Sequence, residues 1–304
     1  MGRLFHMVSV AVLLFLLGES VSLAGTRKAL LVFVGEYPES SGWNRLDSEN
    51  DRIIVEDMLL RSGFSSSDII VLVDNEATYG NIISAFETLC GIVRKGDEVY
   101  VHFSGHGQQI TDLDGDESLR NPRDRYDEAF VPYDAMISYG REGYHGEHHL
   151  LDDTLNSFLH RLSSSVGPKG TVLFVADACH SGDMGRDDYG ENEPEYGLPY
   201  RGVYDAFEIP LVPRKGTPSS YPVSWVEVSA CKDFQTNFEV NVGGKLYGRL
   251  SYAISRVFSP GMTSEELFSA LSECYRTLPL PEGKRQTIAF ECPQSKNKQK
   301  MFTR

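Results

Sequence analysis

Four apolar runs constrain this chain more than any other feature: "KALLVFVG" (residues 28–35), "IIVLVD" (69–74), "DEVYVHFSGHG" (97–107) and "GTVLFVADA" (170–178). Between them lie segments of helical spacing. "DSENDRIIVEDMLLRSGF" (47–64) repeats Ile53, Ile54, Met58 and Leu59 and stops at Gly63, "TYGNIISAFETLCGIV" (78–93) begins at an N-cap threonine, Thr78, and "DDTLNSFLHRL" (152–162) is a third. Strands that are apolar throughout are covered on both faces, so the alternation predicts an α/β fold with a mostly parallel central sheet flanked by helices on both faces. A strand at "SWVEVSA", helices at "SYAISRVF" and "TSEELFSALSECYRTL", and a strand at "QTIAFEC" complete the pattern. Two long polar segments interrupt it, Gln108 to Arg125 and Asp183 to Pro222. Loops of that length inside a compact domain are functional or disordered.

The 304 residues are 41% apolar, ample for one large core, and the formal charge of −14 opposes binding to nucleic acid or anionic membranes. Arg3, an apolar stretch from Val8 to Leu17, and small residues Ser22 and Ala24 read as a secretory signal peptide spanning residues 1–24. Residues 25–304 are then one domain in the secretory pathway: secreted, periplasmic or within an endomembrane compartment, with no stable membrane span once the signal is removed. Five cysteines in an exported chain leave one over if the rest pair, and Cys274 with Cys292 is the pair to expect if a disulfide forms.

Two of the apolar runs end in chemistry. "VHFSGHG" ends at His106 and "VLFVADAC" at Cys179, and ligands bind beside the carboxyl ends of strands in open α/β sheets. Alternation puts Ser104 with His106 and Asp177 with Cys179 on shared faces. A thiol with an imidazole is the minimum equipment for nucleophilic catalysis by cysteine, and the N–H groups of Gly107 and Cys179 could receive an oxyanion. His180, the immediate neighbour of Cys179, ranks below His106 because it would point away. Asp177 on the nucleophile's face would hinder a thiolate unless it holds a cation, and a substrate Arg or Lys is the natural one.

"HFSGHG" and "DACHSG", in this order and on these strands, resemble the paired signatures of the caspase-like cysteine peptidases, and specifically of the metacaspases. "ENDRIIVEDMLLRSGF", "DGDE", "YDEAFVPYD", "LLDDTL" and "VSACKDFQT" extend the resemblance over nearly all of the chain after the signal. Ala178 departs from the serine usual before the nucleophile. The resemblance implies a caspase-like fold, a Cys179–His106 dyad, and cleavage after Arg or Lys through an acidic pocket of Asp51, Ser104 and Asp177. It also implies activation by calcium held by Asp127, Asp152, Asp153 and Asp187, with Asp183 as the rival to Asp187, and a monomer acting on protein or peptide substrates. Its nearest enzyme alternative is a legumain-like peptidase of the same broad fold. From another class comes a non-catalytic calcium- or peptide-binding protein.

"DLDGDE" (112–117) fails as an EF-hand, because Glu117 stands where glycine is required and Arg123 where the bidentate glutamate belongs. "HGEHHL" (145–150) matches no zinc pattern and is expected to be a solvated loop. Arg186, Arg201, Arg214 and Lys215 in the second long segment suggest self-processing, with "VPRKGTP" the most exposed-looking site.

Overall fold

The computed structural model describes residues 25–115, 117, 125–179, 199–203, 205–210, 223–232 and 235–303. Strands β1 (Arg27–Phe33), β2 (Ile69–Val73), β3 (Glu98–Ser104), β7 (Thr171–Asp177) and β8 (Val226–Ser229) are parallel, and β11 (Ala289–Glu291) runs antiparallel at one edge. Their order is β11-β8-β7-β3-β1-β2, the expected mostly parallel sheet.

The apolar runs serve both faces because side chains alternate. Leu30 and Val32 of β1 and Val99, Val101 and Phe103 of β3 share one core with α2 (Tyr79–Ile92) and α3 (Asp152–Val166). Ala29, Leu31 and Phe33 share the other with α1 (Ser48–Arg61), α4 (Arg249–Val257) and α5 (Ser264–Thr277). Local signals act where the sequence places them. Thr78 Oγ1 caps α2 by accepting from Asn81 N at 3.3 Å, and Gly63 takes the left-handed conformation (φ 85°) that follows α1.

Two smaller sheets escape the sequence pattern. Strands β4 (Gly107–Thr111), β5 (Tyr126–Phe130) and β6 (Leu150–Leu151) form one, with β4 inside the segment expected to be a polar loop. Gln108, Gln109 and Thr111 are buried there, so a polar composition concealed an internal strand. The other is the hairpin β9 (Glu239–Val242) and β10 (Lys245–Gly248).

Two further expectations change. All five cysteines are free thiols, Cys274 and Cys292 included, and Cys292 Sγ instead lies 3.4 Å from Ser264 Oγ. The "HGEHHL" run is not a solvated loop throughout, because His149 is buried between Tyr144 Oη (2.8 Å from Nδ1) and Gln108 Oε1 (3.0 Å from Nε2). Residues 1–24, where the sequence suggests a signal peptide, lie outside the described residues; among those described, no helix is long and apolar enough to cross a membrane.

Leu30 is fully buried on a central strand, so Leu30→Ala removes packing from the α2–α3 face. Chemical denaturation of this variant is expected to show a loss of about 2–5 kcal/mol.

Candidate active site

Strands β3 and β7 pair in register, with Ser104 opposite Asp177 at their carboxyl ends. Beyond these residues the chain leaves the sheet, through Gly105 and His106 into β4 and through Ala178 to Cys179. Both members of the expected dyad therefore emerge from the ends of neighbouring strands.

His106 is held by contacts that no motif announced. Its Nε2 lies 2.8 Å from the carbonyl of Asn44, so a neutral ring donates there and leaves Nδ1 as the acceptor. Nδ1 is buried with no hydrogen-bond partner among the described residues. Trp43 stacks on the ring at 5.0 Å between centroids, and Tyr37 lies at 5.2 Å. Tyr37 Oη accepts from His106 N at 3.1 Å and donates to the Val131 carbonyl at 3.2 Å. Burial above all, aided by the nearby charge of Arg201 and opposed by the Asn44 hydrogen bond, lowers the His106 pKa to about 4. The imidazole is thus neutral near pH 7, the state in which it can accept a proton. Cys179 is buried beside this region, its Sγ donating to the Gln235 carbonyl at 3.3 Å.

Asp51, Ser104 and Asp177 also converge, each fully buried. Asp51 arrives from the first turn of α1, where the positive end of the helix dipole favours a carboxylate. Between them sits a guanidinium of the chain itself. Arg201 Nη2 donates to Asp51 Oδ2 at 2.6 Å and to Glu239 Oε1 at 2.9 Å, while Nη1 donates to Ser104 Oγ at 2.6 Å. Ser104 Oγ in turn donates to Asp51 Oδ2 at 2.8 Å.

Asp177 plays a different part from the paired hydrogen bonding its position suggests. Its carboxylate accepts from Asn237 Nδ2 (2.8 Å) and from Ser251 N and Oγ (2.6 and 2.7 Å), and it stays 3.9 Å from Arg201 Nη1. It supplies charge from behind; Asp51 and Glu239 make the contact. Burial chiefly, with the charges of Asp177 and Glu239 adding and Arg201 opposing, lifts the Asp51 pKa to about 7.

Glu239 and Gly248 are pocket residues that sequence reasoning missed. Glu239 sits in "FEVNV", where Phe238, Val240 and Val242 alternate with Glu239 and Asn241, so the pattern puts Glu239 on the solvent side like a surface glutamate. Gly248 ends the same hairpin, its N–H donating to Asp51 Oδ1 at 2.8 Å. A Cβ at Gly248 would collide with the Asp177 carboxylate and with the Arg201 guanidinium, so the pocket needs a residue without a side chain.

The backbone around Arg201 runs through the site, joined to its neighbours by isolated bridges from Tyr200 to Phe238 and from Gly202 to Gly107. Glu239 N donates to the Pro199 carbonyl and Arg201 N to the Asn237 carbonyl, both at 2.9 Å. Cys179 N donates to the Arg201 carbonyl at 2.8 Å. That N–H is one of the two expected for an oxyanion; the other, from Gly107, belongs to a residue bridged to Gly202. A Cβ on Gly202 would come within 2.9 Å of the Cys179 carbonyl oxygen and 3.2 Å of that of Gly107. The segment continues along β4, where Phe207 N donates to the Gln109 carbonyl at 2.7 Å and the Phe207 ring is buried.

Of the expected calcium ligands, Asp127 is buried on β5, and Asp152 and Asp153 lie in the first turn of α3. Asp183 and Asp187 fall outside the described residues, as do His180, Arg186, Arg214 and Lys215. The carboxylates are of the hard oxygen type that calcium takes, yet among the described residues no group of three or more His, Cys, Asp or Glu is gathered to hold a metal. In the "DLDGDE" run, Asp112 Oδ1 instead accepts from the N–H groups of Asp114 (3.0 Å) and Gly115 (2.6 Å), forming a turn.

The family model described as metacaspase, peptidase C14 domain, matches residues 27–186, more than half of the chain. The chain belongs to the metacaspase family. Curated relatives are similar at low identity: the Metacaspase-1 of Lodderomyces elongisporus is 27% identical over 77% of this chain and 58% of its own length. Those of Meyerozyma guilliermondii and Candida albicans are each 26% identical, over 90% and 92% of this chain and 72% and 68% of their own. This chain therefore spans little more than half of the first of these relatives. A crystal structure of a protein from Geobacter sulfurreducens superposes with a TM-score of 0.61 at 20% identity, covering 91% of this chain and 98% of that one. The fold is the caspase-like α/β fold.

Gly248→Ala should keep the fold, since the residue's φ of −59° suits alanine, while closing the pocket to a guanidinium. Titration of the Cys179→Ala/Gly248→Ala chain with added trypsin is expected to cut at Arg201, a bond that the Gly248 parent protects by burying Arg201.

Proposed function

We propose that this metacaspase is a cysteine endopeptidase that cleaves after Arg or Lys. One observation supports this reading most: an arginine of the chain lies in a pocket of three carboxylates with its carbonyl on the N–H of the candidate nucleophile. In the proposed reaction His106 Nδ1 takes the proton of Cys179 Sγ, and the thiolate attacks the carbonyl carbon of the basic residue. The Cys179 N–H, with that of Gly107, receives the oxyanion. The carbon–nitrogen bond then breaks as His106 returns the proton to the leaving amine, and water, deprotonated by His106, hydrolyses the acyl-enzyme.

Self-processing follows from the same geometry at Arg201–Gly202. Arg201 is proposed as the site because its carbonyl accepts from Cys179 N at 2.8 Å while its guanidinium is paired with Asp51 and Glu239; Arg186, Arg214 and Lys215 lie outside the described residues. The segment 199–202 is, in this reading, a substrate bound in cis that also blocks the pocket until it is cut. Calcium activation, with Asp127, Asp152, Asp153 and either Asp187 or Asp183 as ligands, is proposed on the chemistry of these donors; a bound ion would supply positive charge among the carboxylates. Export into the secretory pathway, guided by residues 1–24, and action as a monomer belong to the same proposal.

Cleavage of matched peptides ending in Arg, Lys, Asn or Asp, with calcium added or chelated, tests it. Turnover of the Arg and Lys peptides, lost in Cys179→Ala, is the expected result; cleavage after Asn or Asp overturns the pocket. Intact mass should show active protein divided between residues 201 and 202, and an active chain that stays whole rules out self-processing.

The pH dependence has a definite sign. Below a pKa of about 7 Asp51 is protonated and its charge is lost, so KM for basic peptides should rise as pH falls through 7. Asp51→Asn should raise KM and flatten that dependence.

A further inference from the structure

We propose that Glu239 makes the acidic pocket selective for arginine over lysine. The inference deepens the cleavage-after-basic-residue reading and rests on it. The pocket's acceptors are spread to match a planar fork. Asp51 Oδ2 and Glu239 Oε1 flank one terminal nitrogen of Arg201 at 2.6 and 2.9 Å, and Ser104 Oγ takes the other at 2.6 Å, with the Asp177 carbonyl at 3.4 Å.

A lysine cannot reproduce this set. Its ammonium nitrogen is as many bonds from Cα as the central carbon of the guanidinium, one bond short of the atoms that touch Asp51 and Glu239. It is also one point where the pocket presents acceptors for two. With Glu239 and Asp51 fully enclosed, a lysine leaves at least one carboxylate without its charged partner in a dry site. Asp177 does not discriminate, because its oxygens are already satisfied by Asn237 and Ser251 and it acts on either cation through charge alone. Asp51 touches the same nitrogen but also accepts from Ser104 Oγ at 2.8 Å and Gly248 N at 2.8 Å, so Glu239 is the carboxylate whose contribution depends most on the length and fork of the side chain. Its second oxygen, Oε2, is buried with no hydrogen-bond partner among the described residues, so Glu239 has nothing but the incoming cation to anchor its other oxygen beyond the Asp47 N–H at 3.2 Å.

Two measurements test the assignment. The first compares kcat/KM for matched Arg and Lys peptides in the wild-type chain and in Glu239→Gln, which keeps the shape of the side chain. The wild type should favour Arg by at least about tenfold, and Glu239→Gln should lose about tenfold or more on Arg with a clearly smaller loss on Lys, narrowing the ratio. Equal turnover of the two peptides by the wild type, or parallel losses on both in Glu239→Gln, overturns the assignment.

The second measurement needs no peptidase activity. In Cys179→Ala the buried Arg201 should resist added trypsin, which cuts after Arg and Lys alike. Adding Arg201→Lys or Glu239→Gln should loosen the segment, so that cleavage between residues 201 and 202 is at least about tenfold faster. If Cys179→Ala/Arg201→Lys is as resistant as Cys179→Ala, the pocket does not discriminate and the assignment is wrong. Failure of the wild type to cut either peptide would count against the cleavage reading, while the trypsin comparison would still decide the pocket's preference.

Discussion

Three carboxylates enclosed around one guanidinium are the condition on which the rest of this site depends. Removing each charge from water costs several kcal/mol, and Asp51, Asp177 and Glu239 together carry more negative charge than Arg201 returns. The cost is met by directed hydrogen bonds: Gly248 N and Ser104 Oγ to Asp51, Asn237 Nδ2 and Ser251 to Asp177, and the fork of Arg201 across the group. Each donor comes from a different element, so the pocket exists only when α1, β3, β7, the hairpin and the start of α4 are all assembled. Such surroundings are poorly disposed toward an apolar or acidic side chain and well disposed toward a guanidinium.

The same cation acts on His106. His106 is buried among Trp43 and Tyr37, and the charge of Arg201 adds to burial in keeping the imidazole neutral. In the proposed reaction a basic side chain in the pocket therefore does two things: it balances the carboxylates, and it holds the base in its proton-accepting form. Occupation by residue 201 rehearses that state within the chain. It also explains why Gly202 follows the arginine, since a side chain there would strike the backbone of Cys179.

Much of this was legible in the residues. Continuous apolar strands, the Thr78 cap and the Gly63 stop belong to local physics, and the parallel sheet with helices on both faces follows from them. His106, Cys179, Ser104 and Asp177 could be found because a strand's end is marked in sequence by the change from apolar residues to glycine and polar groups. Asp51 was reachable only through the resemblance of "ENDRIIVEDMLLRSGF" to a family pattern. Strand β4 was not legible, because Gln108 and Gln109 are buried by partners far along the chain rather than by an apolar neighbour of their own. The burial of Arg201 was not legible either, because its partners Asp51, Ser104 and Glu239 lie 150, 97 and 38 residues away along the chain.

By itself, the sequence determined the α/β architecture, the positions of His106 and Cys179 just beyond the ends of two strands, and the carboxylates of Asp51 and Asp177, since these rest on hydrophobic period, strand ends and residue type. Only the tertiary structure decided which carboxylates touch the cation, that Glu239 and Gly248 belong to the pocket, and that the cation in place is the chain's own Arg201. Those outcomes depend on the distances between atoms brought together from residues 51, 104, 177, 201, 239 and 248, and short-range hydrogen bonding and steric exclusion over a few ångströms are not encoded in any local stretch of the chain.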